Sequence, residues 1–164
     1  MLVLLITPDT LPDGRQNMSI AVQNGRITEV TEGLQAPAHE TVDAGGLLVS
    51  PPFVDAHFHM DSTLSYGQPR VNESGTLLEG IALWGELKPQ LTHDDIVQRA
   101  LQYCDWAVAR GLLAIRSHVD TSDPSLLPVQ ALLDVKQRVA PYLDLQLVAF
   151  PQDGVLFRLG VFLT

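Results

Sequence analysis

Past the dipeptide Pro51-Pro52, the spacing of the apolar residues changes in a set order that leaves this chain few folds to choose from. Phe53, Val54 and Ala56 form a short buried-strand pattern that runs into His57 and His59. The period then lengthens from two residues to about 3.6, the mark of a helix with one apolar face. Thr76 to Lys88 is a predicted helix in spite of Gly80 and Gly85, and Pro89 closes it. A second helix follows, with Thr92 as N-cap and Asp95 three residues on in a capping-box arrangement. Ile96, Ala100, Cys104 and Ala107 run down its buried face with Leu101 and Val108 beside them, and Gly111 supplies the stop. Leu112 to Val119 reads as a buried strand, Leu126 to Val139 as a helix entered through Pro124 to Pro128, and Leu143 to Phe150 as a third strand. An order of strand, helices, strand, helix, strand implies parallel strands joined by right-handed crossovers, the opening of a β/α barrel or of a doubly wound sheet.

The first fifty residues have a different character. Met18 to Gln23 and Arg26 to Val30 flank Asn24-Gly25, a pair that tolerates the positive φ angles of a type I′ turn, so a tight hairpin is expected. Leu2 to Ile6 before it and Gly46 to Val49 after it complete a predicted small sheet, with a loop over Thr31 to His39. The expected domains are therefore 1–50, a β-sheet portion, and 51–154, with the double proline as boundary and 155–164 as an atypical end.

Charge and cysteine content exclude several roles. A formal net charge of −9 repels nucleic acid and anionic membrane surfaces alike. No stretch approaches the roughly 20 apolar residues of a membrane span, and the opening run MLVLLITPDT lacks a basic n-region. With 164 residues, 46% of them apolar, the chain is long enough for a real core. Cys104 is the only cysteine; no intrachain disulfide can form, and a reducing, cytoplasmic setting is the simple expectation. Its place in a helical pattern marks a packed thiol.

The chemistry gathers at the strand ends. Side chains at i and i+2 on a strand point the same way, so His57 and His59 can present both imidazoles to one cation. The second strand ends in Arg116, Ser117, His118 and Asp120, and the third in Phe150, Pro151, Gln152, Asp153 and Gly154. In barrels this C-terminal rim holds the active site. Gln152 offers a donor and an acceptor side by side, the complement of an amide-like edge on a heterocycle. His118 reads equally as a site residue or as a histidine satisfied by its neighbours, and Asp120 as a turn cap. Trp84 and Trp106 read as packing residues, His93 as solvated beside the N-cap, and Asp94-Asp95 as favourable charge at a helix N-terminus.

The segments PPFVDAHFHMDSTLSYGQPRVNESGTLLEGIALWGELKPQLTHDD, IRSHVDTSDPSLL and VKQRVAPYLDLQLVAFPQDG resemble bacterial cytosine deaminase and its close relatives in the amidohydrolase superfamily. The resemblance covers nearly all of the chain from the hairpin to Gly154. It implies an α/β fold, with an N-terminal portion of a composite β-sandwich followed by the first three β/α units of a TIM-type (β/α)8 barrel. It also implies that His57 and His59 ligate a divalent metal, iron or zinc, that Gln152 binds the pyrimidine edge, that Phe150 lines the pocket and that His118 sits near the metal. The implied substrate is a small nucleobase or similar heterocycle, and full-length relatives are expected to be homo-oligomers.

The reaction so implied is hydrolytic deamination: water acidified by the metal from pKa 15.7 to about 7, as in the best-known zinc site, attacks the ring's amidine carbon while a carboxylate moves the protons. Family members take further ligands and the acid/base groups from later strands, and no catalytic acid or base is assigned within these residues. The full barrel takes about 250 residues, and the last ten, VLFRLGVFLT, depart from the family pattern. Three readings follow: a deaminase of cytosine; an amidohydrolase for isocytosine, 5-methylcytosine, creatinine or an aminotriazine; or a truncated, inactive fragment that binds metal through two histidines.

Overall fold

The computed structural model describes residues 2–154, and the atypical end at 155–164 lies outside the described residues. The chain divides between Pro51 and Pro52 into two compact units. No helix among the described residues is long and apolar enough to cross a membrane.

In the first unit, strands β1 (Leu2–Thr10), β2 (Gln16–Gln23), β3 (Arg26–Glu32) and β4 (Ala38–Asp43) form one sheet in the order β3-β2-β1-β4. The Asn24-Gly25 hairpin is present, with φ of 51° and 71° at its two turn residues and Gln23 paired to Arg26. β1 pairs antiparallel with β2, Leu5 opposite Ala21, and parallel with β4, Leu5 opposite Thr41. The fourth strand is thus Ala38–Asp43, inside and just beyond the predicted loop, and the expected strand at Gly46 to Val49 reduces to a single bridge between Thr10 and Leu48. Gly45 and Gly46 both adopt positive φ, 56° and 76°, which turns the chain out of the sheet where extended backbone was expected. Leu11, Met18 and Ile20 form the small core of this unit, with Ile6, Val22 and Val49 against it.

The second unit is an α/β layer. Strands β5 (Phe53–Phe58), β6 (Leu112–Asp120) and β7 (Asp144–Phe150) are parallel and adjacent in chain order. Helices α2 (His93–Val108) and α3 (Leu127–Val139) make the crossovers, while α1 (Leu77–Leu87) follows β5 and leads through a short 3-10 turn, Lys88–Gln90, into α2. The Thr92 hydroxyl accepts the Asp95 N–H, and the Asp95 carboxylate accepts the Thr92 N–H, which completes the capping box. Gly111, at φ 78°, ends the helical segment and passes its carbonyl to the Phe53 N–H at 2.8 Å. The core lies between sheet and helices: Ile96, Ala100 and Cys104 of α2, Leu132, Val135 and Val139 of α3, and Ile115, Val119 and Leu145 of the strands are all buried. Burial holds the Cys104 thiol at a pKa of about 11, so it is a packed group rather than a nucleophile.

The expectation that Phe53, Val54 and Ala56 are buried is not met. Phe53 and Val54 are 65% and 66% exposed, and Ala56 is exposed too. β5 is an edge strand of a three-stranded sheet, paired on one side only, with β6.

Candidate active site

Because β5, β6 and β7 run parallel and nearly in register, their C-terminal ends arrive together, Phe58 beside Ser117 and Asp120 beside Phe150. Alternation along β6 then sorts its side chains. Ile115, Ser117 and Val119 are buried on one face, while Arg116 and His118 lie on the other. The result is a ring cluster. His57 stacks on His118 with centroids 3.9 Å apart and planes 18° apart, and His59 lies 5.3 Å from His57. Phe150 meets His59 edge-on at 5.0 Å and His118 at 5.9 Å. A register irregularity between Asp55 and Phe58 turns the end of β5, and the Asp55 carboxylate accepts the His57 N–H at 3.1 Å.

The chain leaving His59 is pinned from three sides. The Met60 N–H donates to the buried Ser117 hydroxyl at 3.0 Å, and the Asp120 N–H donates to the Asp61 carboxylate at 2.8 Å. Arg99 of α2 donates to the backbone carbonyls of Asp61 and Thr63. Burial raises the Asp61 carboxyl above its usual pKa, partly countered by the N–H of Asp120.

Beside the cluster opens a cavity of about 320 Å³, walled by His59, Asp61, Asp120 and Gln152 from the strand ends and by Leu77 and Trp84 of α1, among others. Of the residues singled out in the sequence, His59 and Gln152 line this cavity, whereas His57, His118 and Phe150 do not: His57 stacks on His118, and Phe150 meets His118 and His59 edge-on. The floor is held by charge. The Asp120 carboxylate accepts from Trp84 Nε1 and Lys88 Nζ, both at 2.9 Å, and from the Ser122 N–H at 2.8 Å. Burial opposes ionisation of Asp120, but these donors outweigh it and hold its pKa below the usual carboxylate value. Likewise burial works against the Lys88 charge, yet its bonds to Asp120 and Asp153 hold its pKa above the ordinary lysine value.

Two imidazoles on one side of a strand end are the nitrogen donors that a zinc or iron site uses. Among the described residues no group of three or more His, Cys, Asp or Glu is arranged to hold a metal. The fit therefore extends to a pair, His57 and His59. His118 stacks on His57, and its Nδ1 is buried without a hydrogen-bond partner. Burial, followed by its neighbours His57, His59 and Arg116, lowers its pKa, which favours the neutral ring.

Sequence reasoning missed Asp61, Lys88 and the polar bond of Trp84. The available signal was spacing: Trp84 and Lys88 stand four apart on one helix face, each with a donor at its tip. Asp120 does cap its turn, as expected, and also anchors these two donors.

Comparison with known proteins bears on the whole constellation. A solved 5-methylcytosine deaminase from Klebsiella pneumoniae superposes with a TM-score of 0.86 at 42% identity, over 93% of this chain and 37% of that one. The structure of N-isopropylammelide isopropylaminohydrolase from Burkholderia multivorans gives a TM-score of 0.78 at 25% identity, over 96% of this chain and 40% of that one. In sequence, N-isopropylammelide isopropyl amidohydrolase from Pseudomonas sp. (strain ADP) is 32% identical over 140 residues, 82% of this chain and 35% of the relative. The chain thus spans about a third of the length of the curated relatives it matches. Residues 40–158, from β4 through all three strand ends that build the ring cluster, match the amidohydrolase family, and the chain belongs to that family.

Proposed function

We propose that this chain supplies the first metal ligands and the ring-recognition wall of a hydrolase acting on C–N bonds, a deaminase of cytosine or of a close cyclic amidine such as 5-methylcytosine. The reading is carried by one observation: His59, of the His-x-His pair, and Gln152 face the same cavity of about 320 Å³. Similarity to the Klebsiella 5-methylcytosine deaminase supports a pyrimidine over the other rings.

In this reading His57 and His59 hold a divalent ion, zinc or iron, through ring nitrogens. Such an ion contributes Lewis-acid chemistry, making water a nucleophile at neutral pH. Gln152 offers its carboxamide N–H and oxygen to the ring's amide edge and fixes which carbon faces the histidines. Trp84, its indole tied to Asp120, forms an apolar wall that excludes water from the ring face. Phe150 braces His59 edge-on. We place the barrel, its β-sandwich partner and a homo-oligomeric, cytoplasmic enzyme in the same proposal.

The test is ammonia release from cytosine, 5-methylcytosine and an aminotriazine by protein loaded with zinc or iron, with metal content measured on the same samples. Release from a pyrimidine, together with loss of bound metal in His57→Ala and His59→Ala, is the expected result. Metal retained in both variants would sink the ligand assignment, and release from the triazine alone would redirect the substrate. The exposed faces of Phe53 and Val54 favour a second reading, in which the 164 residues bind metal but do not turn over substrate. Metal bound without ammonia release is its signature.

A further inference from the structure

Gln152 lies in a stretch without regular secondary structure. β7 ends at Phe150, and Pro151 to Gly154 form a turn closed by the Gly154 N–H on the Pro151 carbonyl at 2.9 Å. A side chain on such a turn orients a ligand only if the turn itself is held. Two bonds fix it to the end of β6: the Thr121 N–H donates to the Phe150 carbonyl at 3.0 Å, and the Asp153 N–H donates to the Ser122 hydroxyl at 3.0 Å. The third tie is an ammonium. Lys88 Nζ, its side chain only 15% exposed, lies 2.9 Å from the Asp120 carboxylate and 3.2 Å from that of Asp153, the neighbour of Gln152.

The same lysine begins the 3-10 turn directly after α1, the helix that forms the opposite wall of the cavity. Trp84, one helical turn earlier, bonds the same Asp120 oxygen. Asp120 in turn donates its N–H to Asp61, two residues past His59. One cation therefore joins the α1 wall to the ends of β6 and β7 and, through Asp120, to the chain leaving β5. Taken together, the geometry points to Lys88 as a positioning residue: its ammonium bridges Asp120 and Asp153 and thereby holds the Gln152 turn and the α1 wall at a fixed spacing around the ligand. The consequence for ligand binding rests on the deaminase reading above; the bridge itself does not.

Lysine suits this task better than a neutral donor. It has three N–H groups on a flexible stem, so it can serve two carboxylates from one point. Charge-assisted bonds are about twice as strong as neutral ones. Asp153 alone is half-exposed and would otherwise be solvated.

Two measurements test it on the full chain. In hydrogen exchange, Lys88→Met should speed exchange at Thr121, Asp153 and Gly154 about tenfold or more, while amides of α2 and α3 keep their protection. Lys88→Arg, which retains a charge able to bridge two carboxylates, should restore most of that protection, and Asp153→Asn should reproduce the effect at Asp153 and Gly154 but less at Thr121. In calorimetry with cytosine, Lys88→Met should weaken binding about tenfold with the bound-metal stoichiometry unchanged, and Lys88→Arg should recover it. Unchanged exchange in Lys88→Met overturns the bridge. Faster exchange with unchanged cytosine affinity overturns the positioning role. If the unsubstituted chain binds no cytosine, the deaminase reading falls, and the exchange data still decide the bridge.

Discussion

Ser117 shows how much rests on a single hydroxyl. It is fully buried and accepts the Met60 N–H at 3.0 Å, directly after His59. Ser117→Ala leaves that backbone donor buried and unpaired, at a cost of about 1–3 kcal/mol. The denaturant midpoint should therefore fall at unchanged slope, and Zn²⁺ affinity should drop because His59 loses its anchor; unchanged midpoint and affinity would refute the role. Alternation with Ile115 and Val119 already puts Ser117 on the helix-facing side, so its burial was legible in the sequence. Its partner was not, because the bond crosses 57 residues of chain. The His-x-His pair was legible for the opposite reason: its geometry is local and needs only the strand. His118, by contrast, is defined by its stack on His57, a contact that no spacing within β6 reveals.

At the scale of elements, the helices were the most readable parts, since cap, face and stop are all local. α2 begins one residue after its Thr92 cap, and Thr92→Ala should cost about 1 kcal/mol, read as a small fall in the denaturant midpoint. Leu132 of α3, fully buried against the sheet, is a stronger test: Leu132→Ala should cost about 2–5 kcal/mol, and a loss below 1 would mean the α3 layer is loosely packed. β4 was misplaced because Ala38–Asp43 is polar, with four of its last five residues charged, polar or both, whereas Gly46 to Val49 looks apolar and extended. Pairing with β1 outweighs that propensity. The bridge after α1 also sets a pH window. Asp120 has a lowered folded pKa, so its contribution is present above the unfolded value of about 3.9 and is lost as pH falls through the folded one. Lys88 has a raised folded pKa, so its contribution is full below about 10.4 and is lost as pH rises through the folded value. The stability difference between the unsubstituted chain and Lys88→Met should thus form a plateau of about 1–2 kcal/mol between those limits and shrink outside them, a modest figure because the Asp153 side is solvent-screened. A difference independent of pH would mean that packing of the lysine stem, not its charge, is responsible.

For the molecule as a whole, the decisive feature is the balance between exposed apolar sheet and net charge. β5 is an edge strand whose Phe53 and Val54 are about two-thirds exposed, and an unpaired edge offers N–H and C=O groups to another chain. The sequence read these residues as buried because their pattern is apolar; burial depends on neighbours that the pattern cannot specify. Opposing association is the formal charge of −9, which keeps copies apart over roughly a Debye length, about 8 Å at physiological salt. These two terms respond differently to salt. Screening removes the repulsion and leaves the apolar attraction, so the 164-residue polypeptide should associate more as sodium chloride rises from about 0.05 to 1 M, where the Debye length falls from well over 8 Å to about 3 Å. Sedimentation velocity would follow it directly. Val54→Lys places a charge on the edge strand without touching the α2 and α3 core, and should return the polypeptide toward monomer at high salt with little change in helix content. Association that is unaffected by Val54→Lys, or that weakens with salt, would show that a charged surface, and not this strand, joins the copies.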